Sequence, residues 1–240
     1  SLPNDNVELK WADELACVQR RRPEKKLRTS MKNLKQTIRK IVGYLNNSDE
    51  DGGFWLPNIQ RPFVWDEEQI CRLFDSILRE YPISTLLIWK TDSGIRRRKF
   101  IDNWSGNLKI SPYFVPEDTK KKCLVLDGQQ RLQSLYIGLC GSFDGKELHF
   151  NISSGSASLP DDIRYHFEFL PAGKAAYPWV KFKDLVFSNR KKRDLMQGLE
   201  VSAKRELSLD EKNRLEDNLD LVDRTFKMEE VITYQELDSI

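Results

Sequence analysis

The stretch Leu124–Cys140, Leu-Val-Leu-Asp-Gly-Gln-Gln-Arg-Leu-Gln-Ser-Leu-Tyr-Ile-Gly-Leu-Cys, restricts what this chain can become more than any other. It opens with a short apolar run of strand type, and Asp127-Gly128 breaks the run with a turn dipeptide. Leu132, Leu135, Tyr136 and Leu139 then fall at i, i+3, i+4 and i+7, the stripe of a helix lying on a sheet. The unit is therefore strand, tight turn, helix, with Gln129, Gln130 and Arg131 in or just before the first helical turn. Free backbone N–H groups point outward at such a turn, and the helix dipole places roughly half a positive charge there. An anion, above all a phosphate, is the natural guest. Two blander readings stand beside this one. Asp-Gly is also the commonest hairpin dipeptide, although the helical spacing after it argues against a hairpin. Arg131 by itself could do no more than pair with a surface carboxylate; two amides beside a guanidinium, however, gather many donors at one point.

A chain of 240 residues can bury a sizeable core, and its length suits one large domain or two small ones. With 39% hydrophobic and 32% charged residues it reads as a soluble globular protein with a highly charged surface. A formal charge of +2 is too mild to announce a nucleic-acid binder, so clustering matters more. Basic runs occur at Arg20–Arg22, Arg96–Lys99, Lys120–Lys122 and Arg190–Arg193. Sharing a face, they would track phosphates; apart, they are solvated loops, and the sequence leaves both readings open. No segment has the length and apolarity of a membrane span, and the N-terminus lacks a secretory pattern, so a cytoplasmic location and no membrane partner are expected. Cys17, Cys71, Cys123 and Cys140 form no Cys-x-x-Cys pair, which fits a reducing compartment. The two histidines, His149 and His166, lie outside metal-ligand spacing, which argues against zinc and against a histidine-based nuclease within these residues.

Along the chain, residues 1–28 read as a basic N-terminal arm with an apolar patch at Trp11, Leu15 and Val18. A helix is expected from Ser30, carrying Leu34, Ile38, Ile41, Val42 and Leu45, and a strand over Phe54–Ile59. Pro62 then makes Arg61 extended at the strand end. Asp66 with Gln69 is a capping box opening a helix whose buried face is Ile70, Leu73, Phe74, Ile77 and Leu78. Ser84–Trp89 is a strand whose Leu86-Leu87-Ile88 run suggests burial on both faces, Thr91–Arg98 a basic turn, and Lys99–Ile101 a further strand. The second Asp-Gly, at 144–145, is read as a hairpin into Glu147–Ile152, since no helical stripe follows it. Ile163–Leu170 is a strand, and Trp179–Phe187 leads to a short helix with Arg190–Arg193 on its exposed side. Ser208 and Glu211 open the last helix, with Leu215, Leu219, Val222 and Phe226 inward, before a short extended Val231–Tyr234. Helices and strands mix without strict alternation, so the fold class is α+β, with a soft boundary near residue 145.

The P-loop, Rossmann and Gly-x-Ser-x-Gly fingerprints are absent. Two other motifs stand in order: Ile59-Gln60-Arg61-Pro62-Phe63-Val64-Trp65 before a helix carrying Leu73-Phe74-Asp75-Ser76-Ile77-Leu78, and Leu126-Asp127-Gly128-Gln129-Gln130-Arg131-Leu132 after a strand. The combination resembles the N-terminal domain family typified by GmrSD modification-dependent restriction proteins, in the wider ParB/sulfiredoxin-like group. It covers residues 50–150 well and the remainder loosely. The resemblance implies a small mixed sheet packed with helices and a ParB-like nucleotide-binding core at 29–145. A β-hairpin and helical extension would follow at 146–240, ending before a C-terminal nuclease module.

The resemblance further implies a regulatory domain that binds and hydrolyses a nucleoside triphosphate with Mg²⁺ or another divalent metal. It would couple that to DNA cleavage in bacterial or archaeal phage defence. Gln60, Arg61, Pro62, Gly128, Gln129, Gln130, Arg131 and Ser134 would then bind nucleotide or phosphate. Asp127, Gln130 and Arg131 would be catalytic, with Asp127 holding Mg²⁺ or acting as a base. The family often carries two threonines after Arg-Leu; Gln133 and Ser134 stand here, so a hydroxyl is missing at the first position. The family's usual His-Asn-His nuclease is not in these residues, so DNA cleavage would fall to a missing segment or a separate chain. The alternatives are a DNA-binding or partner-docking module without hydrolysis, and a direct DNA nickase.

Overall fold

The structure is a computed structural model that describes residues 29–47, 53–59, 61–116, 120–156 and 163–239. The expected arm at 1–28, with its Arg20–Arg22 run and Cys17, and the expected site residue Gln60 lie outside the described residues. Thr29–Gln36 is strand β1. Thr37 then caps helix α1, Ile38–Tyr44, by accepting the Lys40 N–H at 3.2 Å. The helix expected from Ser30 thus begins eight residues later. Segment 29–36 is instead claimed by β12, Ile232–Ser239, which it pairs antiparallel along its whole length. Leu34 at helical spacing from Ile38 is outweighed by its strand partner Tyr234, far along the chain, which local spacing cannot reveal.

Strand β2, Phe54–Pro57, is buried at every position. Helix α2, Glu67–Leu78, starts on the expected box: Asp66 accepts the Gln69 N–H at 2.8 Å and Gln69 answers on the Asp66 N–H at 3.1 Å. Strand β3, Leu86–Thr91, buries Leu86 and Ile88 but leaves Leu87 and Trp89 half-buried, so it alternates rather than vanishing on both faces. The strand expected at Lys99–Ile101 falls earlier, as β4 at Arg97–Arg98; short strands β5, Asn103–Trp104, and β6, Phe114–Val115, follow. Strand β7, Lys122–Asp127, and helix α3, Gln129–Cys140, form the expected strand–turn–helix unit.

From α3 the chain enters a second sheet. Strands β8, Ser142–Phe143, and β9, Lys146–Asn151, are joined by Asp144-Gly145 with φ of +47° and +76°, a hairpin turn of the mirror-image type that both residues' tolerance of positive φ permits. Strands β10, Phe167–Pro171, and β11, Trp179–Lys181, flank β9. Three helices follow: α4, Phe182–Val186, α5, Lys192–Ala203, and α6, Leu209–Val222, which runs on as a π-helical turn over Asp223–Met228. The Arg190–Arg193 run leads into α5, a helix that the sequence reading does not separate from α4.

The fold is α+β, with two mixed sheets and six α-helices among the described residues. The larger sheet has the order β1-β12-β3-β7-β2-β4-β6; the smaller runs β10-β9-β8-β5 with β11 on β9. Residues 146–240 therefore divide: the hairpin and helices build the second sheet and its cover, while 232–239 return to the first sheet, parallel to β3 and antiparallel to β1. Between the layers lies a cluster of rings in which Phe182 stands 5.5 Å from Phe74, 5.0 Å from Phe167 and 4.9 Å from Phe226.

Candidate functional site

β7 delivers the chain to Gly128, whose φ of +87° reverses it into α3. The positive φ favours glycine here, and an added Cβ would also stand 2.2 Å from Leu86 Cδ2 and push that side-chain tip aside. The expected apolar stripe is buried at Leu132, Leu135 and Leu139, but burial extends round the helix to Gln129, Gln130, Gln133 and Ser134. A polar side chain survives such burial only by pairing, and the glutamines pair with backbone. Gln130 accepts the Val64 N–H at 3.1 Å on Oε1 and donates from Nε2 to the Pro62 carbonyl at 3.1 Å. Gln129 Nε2 donates to the Arg61 carbonyl at 3.0 Å. Gln133 accepts the Ile101 N–H at 2.9 Å and donates to the carbonyl of the same residue. Each carboxamide offers an acceptor and a donor side by side, as a peptide group does, so the helix grips two loops as an extra strand would.

The grip shapes a cleft. Its lining comprises Arg61 and Phe63 from the loop before α2, Arg98 from β4 with Lys99 and Ile101 after it, Tyr113, Leu56 and Ile110, and Gln129, Gln130 and Gln133 from α3. The cleft is narrow and nearly filled, with a cavity volume of about 10 Å³, room for about one water. Asn46 fixes the same segment from behind: it accepts the Phe100 N–H at 2.6 Å and donates to the Phe100 carbonyl at 2.9 Å. Arg98 is buried, and burial lowers its pKa. Arg97 is also buried, 4.7 Å over the ring of Trp55. The run Arg96–Lys99 is therefore not a solvated loop; two of its cations are folded into the protein. Burial, and then Asp102, raises the Tyr113 hydroxyl. Gln129 Oε1 is buried and accepts no hydrogen bond among the described residues.

The two sequence motifs do face each other, and Gln129 and Gln130 are the contact between them. Arg61 lines the cleft; Pro62 contributes its carbonyl to the grip. Arg131 is not on the cleft lining. Its guanidinium donates to the Ile83 carbonyl and lies 3.5 Å from Asp127, bracing the turn from the β3 side. Asp127 is 71% exposed, and Ser134 is fully buried with no hydrogen-bond partner for its hydroxyl among the described residues. Among the described residues no three His, Cys, Asp or Glu side chains are grouped to hold a metal; Asp127 offers a single carboxylate. Arg98, Lys99, Tyr113 and Gln133 belong to the site and escape sequence reasoning. The spacing of Gln129 and Gln133 at i and i+4, with Gln130 beside them, was the available signal for the last, since it gathers three amides at one side of a helix that carries an apolar stripe.

Fold and cleft together define an α+β domain of mixed sheets in which a strand-to-helix turn grips a basic, carboxamide-lined cleft. The chain belongs to the family of the GmrSD restriction endonuclease N-terminal domain, whose model matches residues 17–239. Comparison with curated proteins finds no match. Membership confirms the resemblance carried by the two motifs and makes the chain a component of a DNA-restriction, phage-defence protein that works with a nuclease. Among the described residues no helix is long and apolar enough to cross a membrane.

Proposed function

We propose that the domain binds a nucleoside triphosphate across the mouth of the cleft between the Arg61–Phe63 loop and α3, where Arg61 and Lys99 are exposed, and that its hydrolysis gates DNA cleavage by the nuclease. One observation carries this reading: Arg61 from the loop before α2 and Arg98 and Lys99 from the end of β4 meet in a cleft whose lining among the described residues includes no carboxylate. Charge-assisted pairing to phosphate suits such a lining. A divalent ion would supply charge neutralisation to the bound phosphates; Asp127, paired with Arg131 and off the cleft lining, does not fit the role of holding it beside them. The chain's own share is to position the phosphates and neutralise them with Arg61, Arg98 and Lys99, the main means by which phosphoryl transfer is accelerated. Arg131 takes a structural part in this reading, locking the turn through Ile83 and Asp127.

Calorimetric titration of the 240-residue chain with each NTP and Mg²⁺, alongside a phosphate-release assay, tests the proposal. Arg61→Ala removes an exposed side chain and leaves the loop's backbone bonds in place; a charge-assisted bond is worth about 1.5–3 kcal/mol, so affinity should fall about ten- to a hundredfold. No binding of any NTP by the unaltered chain would overturn the reading.

A further inference from the structure

We propose that the base of the bound nucleotide stacks on the ring of Phe114, in a hollow that adjoins the cleft mouth on the same face of the larger sheet. This rests on the nucleotide reading above and adds to it a place for the nucleoside, which the cleft itself, with room for about one water, cannot hold.

Sheet register puts the ring there. β2, β4 and β6 are antiparallel neighbours at one edge of the larger sheet, and Leu56, Arg98 and Phe114 form a single row across them. Residues directly opposite in an antiparallel ladder project to the same face, from strands about 5 Å apart. Leu56 and Arg98 line the cleft, so Phe114 flanks it one strand further out. Backbone bonds tie the same segments together on either side of this row: the Asn58 N–H donates to the Arg96 carbonyl at 3.1 Å, and the Lys99 N–H to the Tyr113 carbonyl at 2.9 Å. Beside Phe114 the segments enclose a hollow of about 570 Å³, lined by Asn58, Arg96, Phe114, Val115 and Pro116.

The chemistry of the hollow selects a base. Its volume falls within the roughly 300–1,000 Å³ of small-molecule sites. Phe114 is 44% exposed, and a single exposed aromatic is ordinary on a protein surface. This one stands between cations, with Arg96 in the hollow and Arg61 and Lys99 at the cleft mouth, and neither lining includes a carboxylate among the described residues. A ligand that suits both places must carry a flat apolar face at one end and anionic oxygens at the other, as a nucleotide does. Inorganic polyphosphate carries only the second. Every base has a π-face, so stacking holds a base without choosing its identity. Asn58, exposed at the rim, offers a donor and an acceptor to the base edge.

The test separates base from phosphate on the full chain. Affinities with Mg²⁺ are measured for the ribonucleoside triphosphates and for tripolyphosphate, using the unaltered chain, Phe114→Ala and Phe114→Trp, with melting temperatures alongside. Phe114→Ala should weaken binding of every nucleoside triphosphate about fivefold or more and change tripolyphosphate binding about twofold or less, and Phe114→Trp should restore nucleotide affinity. The triphosphate of 2-aminopurine riboside supplies a signature of stacking itself: its fluorescence should be quenched on binding to the unaltered chain and not on binding to Phe114→Ala. Nucleotide affinity unchanged in Phe114→Ala overturns the proposal and leaves the nucleotide reading intact. So does an equal loss for nucleotide and tripolyphosphate, which would make Phe114 a support of the phosphate site, and so does weakened binding of a single-stranded oligonucleotide with nucleotide affinity unchanged. Absence of any nucleotide binding by the unaltered chain overturns both.

Discussion

The two ends of α3 are held by opposite chemistries. At its N-terminal end Gln129, Gln130 and Gln133 grip loop backbone through directed hydrogen bonds. At its C-terminal end Gly138 lets the helix press against rings: a Cβ there would stand 2.6 Å from Phe74 Cζ and 3.0 Å from Leu148 Cδ2. Phe74 in turn stacks 5.9 Å from Phe226 and meets Phe167 at 5.5 Å. Apolar contact is strong in sum and indifferent to direction, so the rear of the helix supplies stability. Carboxamide bonds add little net stability but fix the position and direction of each partner. The cleft lies at the end where position matters.

The largest effect should come from the ring end. Phe74→Ala empties a fully buried site among three rings and should cost about 3–5 kcal/mol in urea denaturation. Nucleotide affinity of the folded fraction should change little; a parallel loss of affinity would break the division of labour between the two ends.

Gln130→Ala should show the reverse balance. It leaves the Val64 N–H and the Pro62 carbonyl without their partner, for a loss of about 1–3 kcal/mol, smaller than at Phe74. Its signature is local: the Val64 amide should lose hydrogen-exchange protection while amides of β7 keep theirs. Uniform loss of protection would show the grip to be part of the general core.

The smallest effect tests the same kind of directed bond where water competes. At the start of α6 the Arg205 guanidinium, helped by the Ser208 backbone N–H, holds the Glu211 carboxyl well below its ordinary 4.5, at about 2. A depressed carboxylate adds stability that is present above its unfolded value and lost as pH falls through the folded one. The melting temperature of the unaltered chain should therefore exceed that of Glu211→Gln slightly at pH 7, and the gap should close between pH 4.5 and about 2. A gap as wide as that for Gln130→Ala would mean that burial adds nothing to such bonds.

The two Asp-Gly turns show how much was legible locally. Asp127-Gly128 opens a helix and Asp144-Gly145 closes a hairpin, and in each case the residues after the dipeptide announced the outcome, helical spacing in one and its lack in the other. Gln129 and Gln130 were legible as site residues but not in their use. Their amides were expected to meet phosphate, and the structure spends three of their four polar atoms on loop backbone.

By itself the sequence determined what depends on neighbours within a few residues: the capped helices at 67–78 and 209–222, the turn at Gly128, and the family, whose motifs are local strings. Tertiary structure decided what depends on partners far along the chain. It made a strand of 29–36 by giving it 232–239 to pair with, and folded Arg97 and Arg98 inward beside Trp55 and the cleft. It also drew residues 61–64 and 98–101 together on one helix, by hydrogen bonds to backbone groups that every residue carries and no sequence pattern can mark.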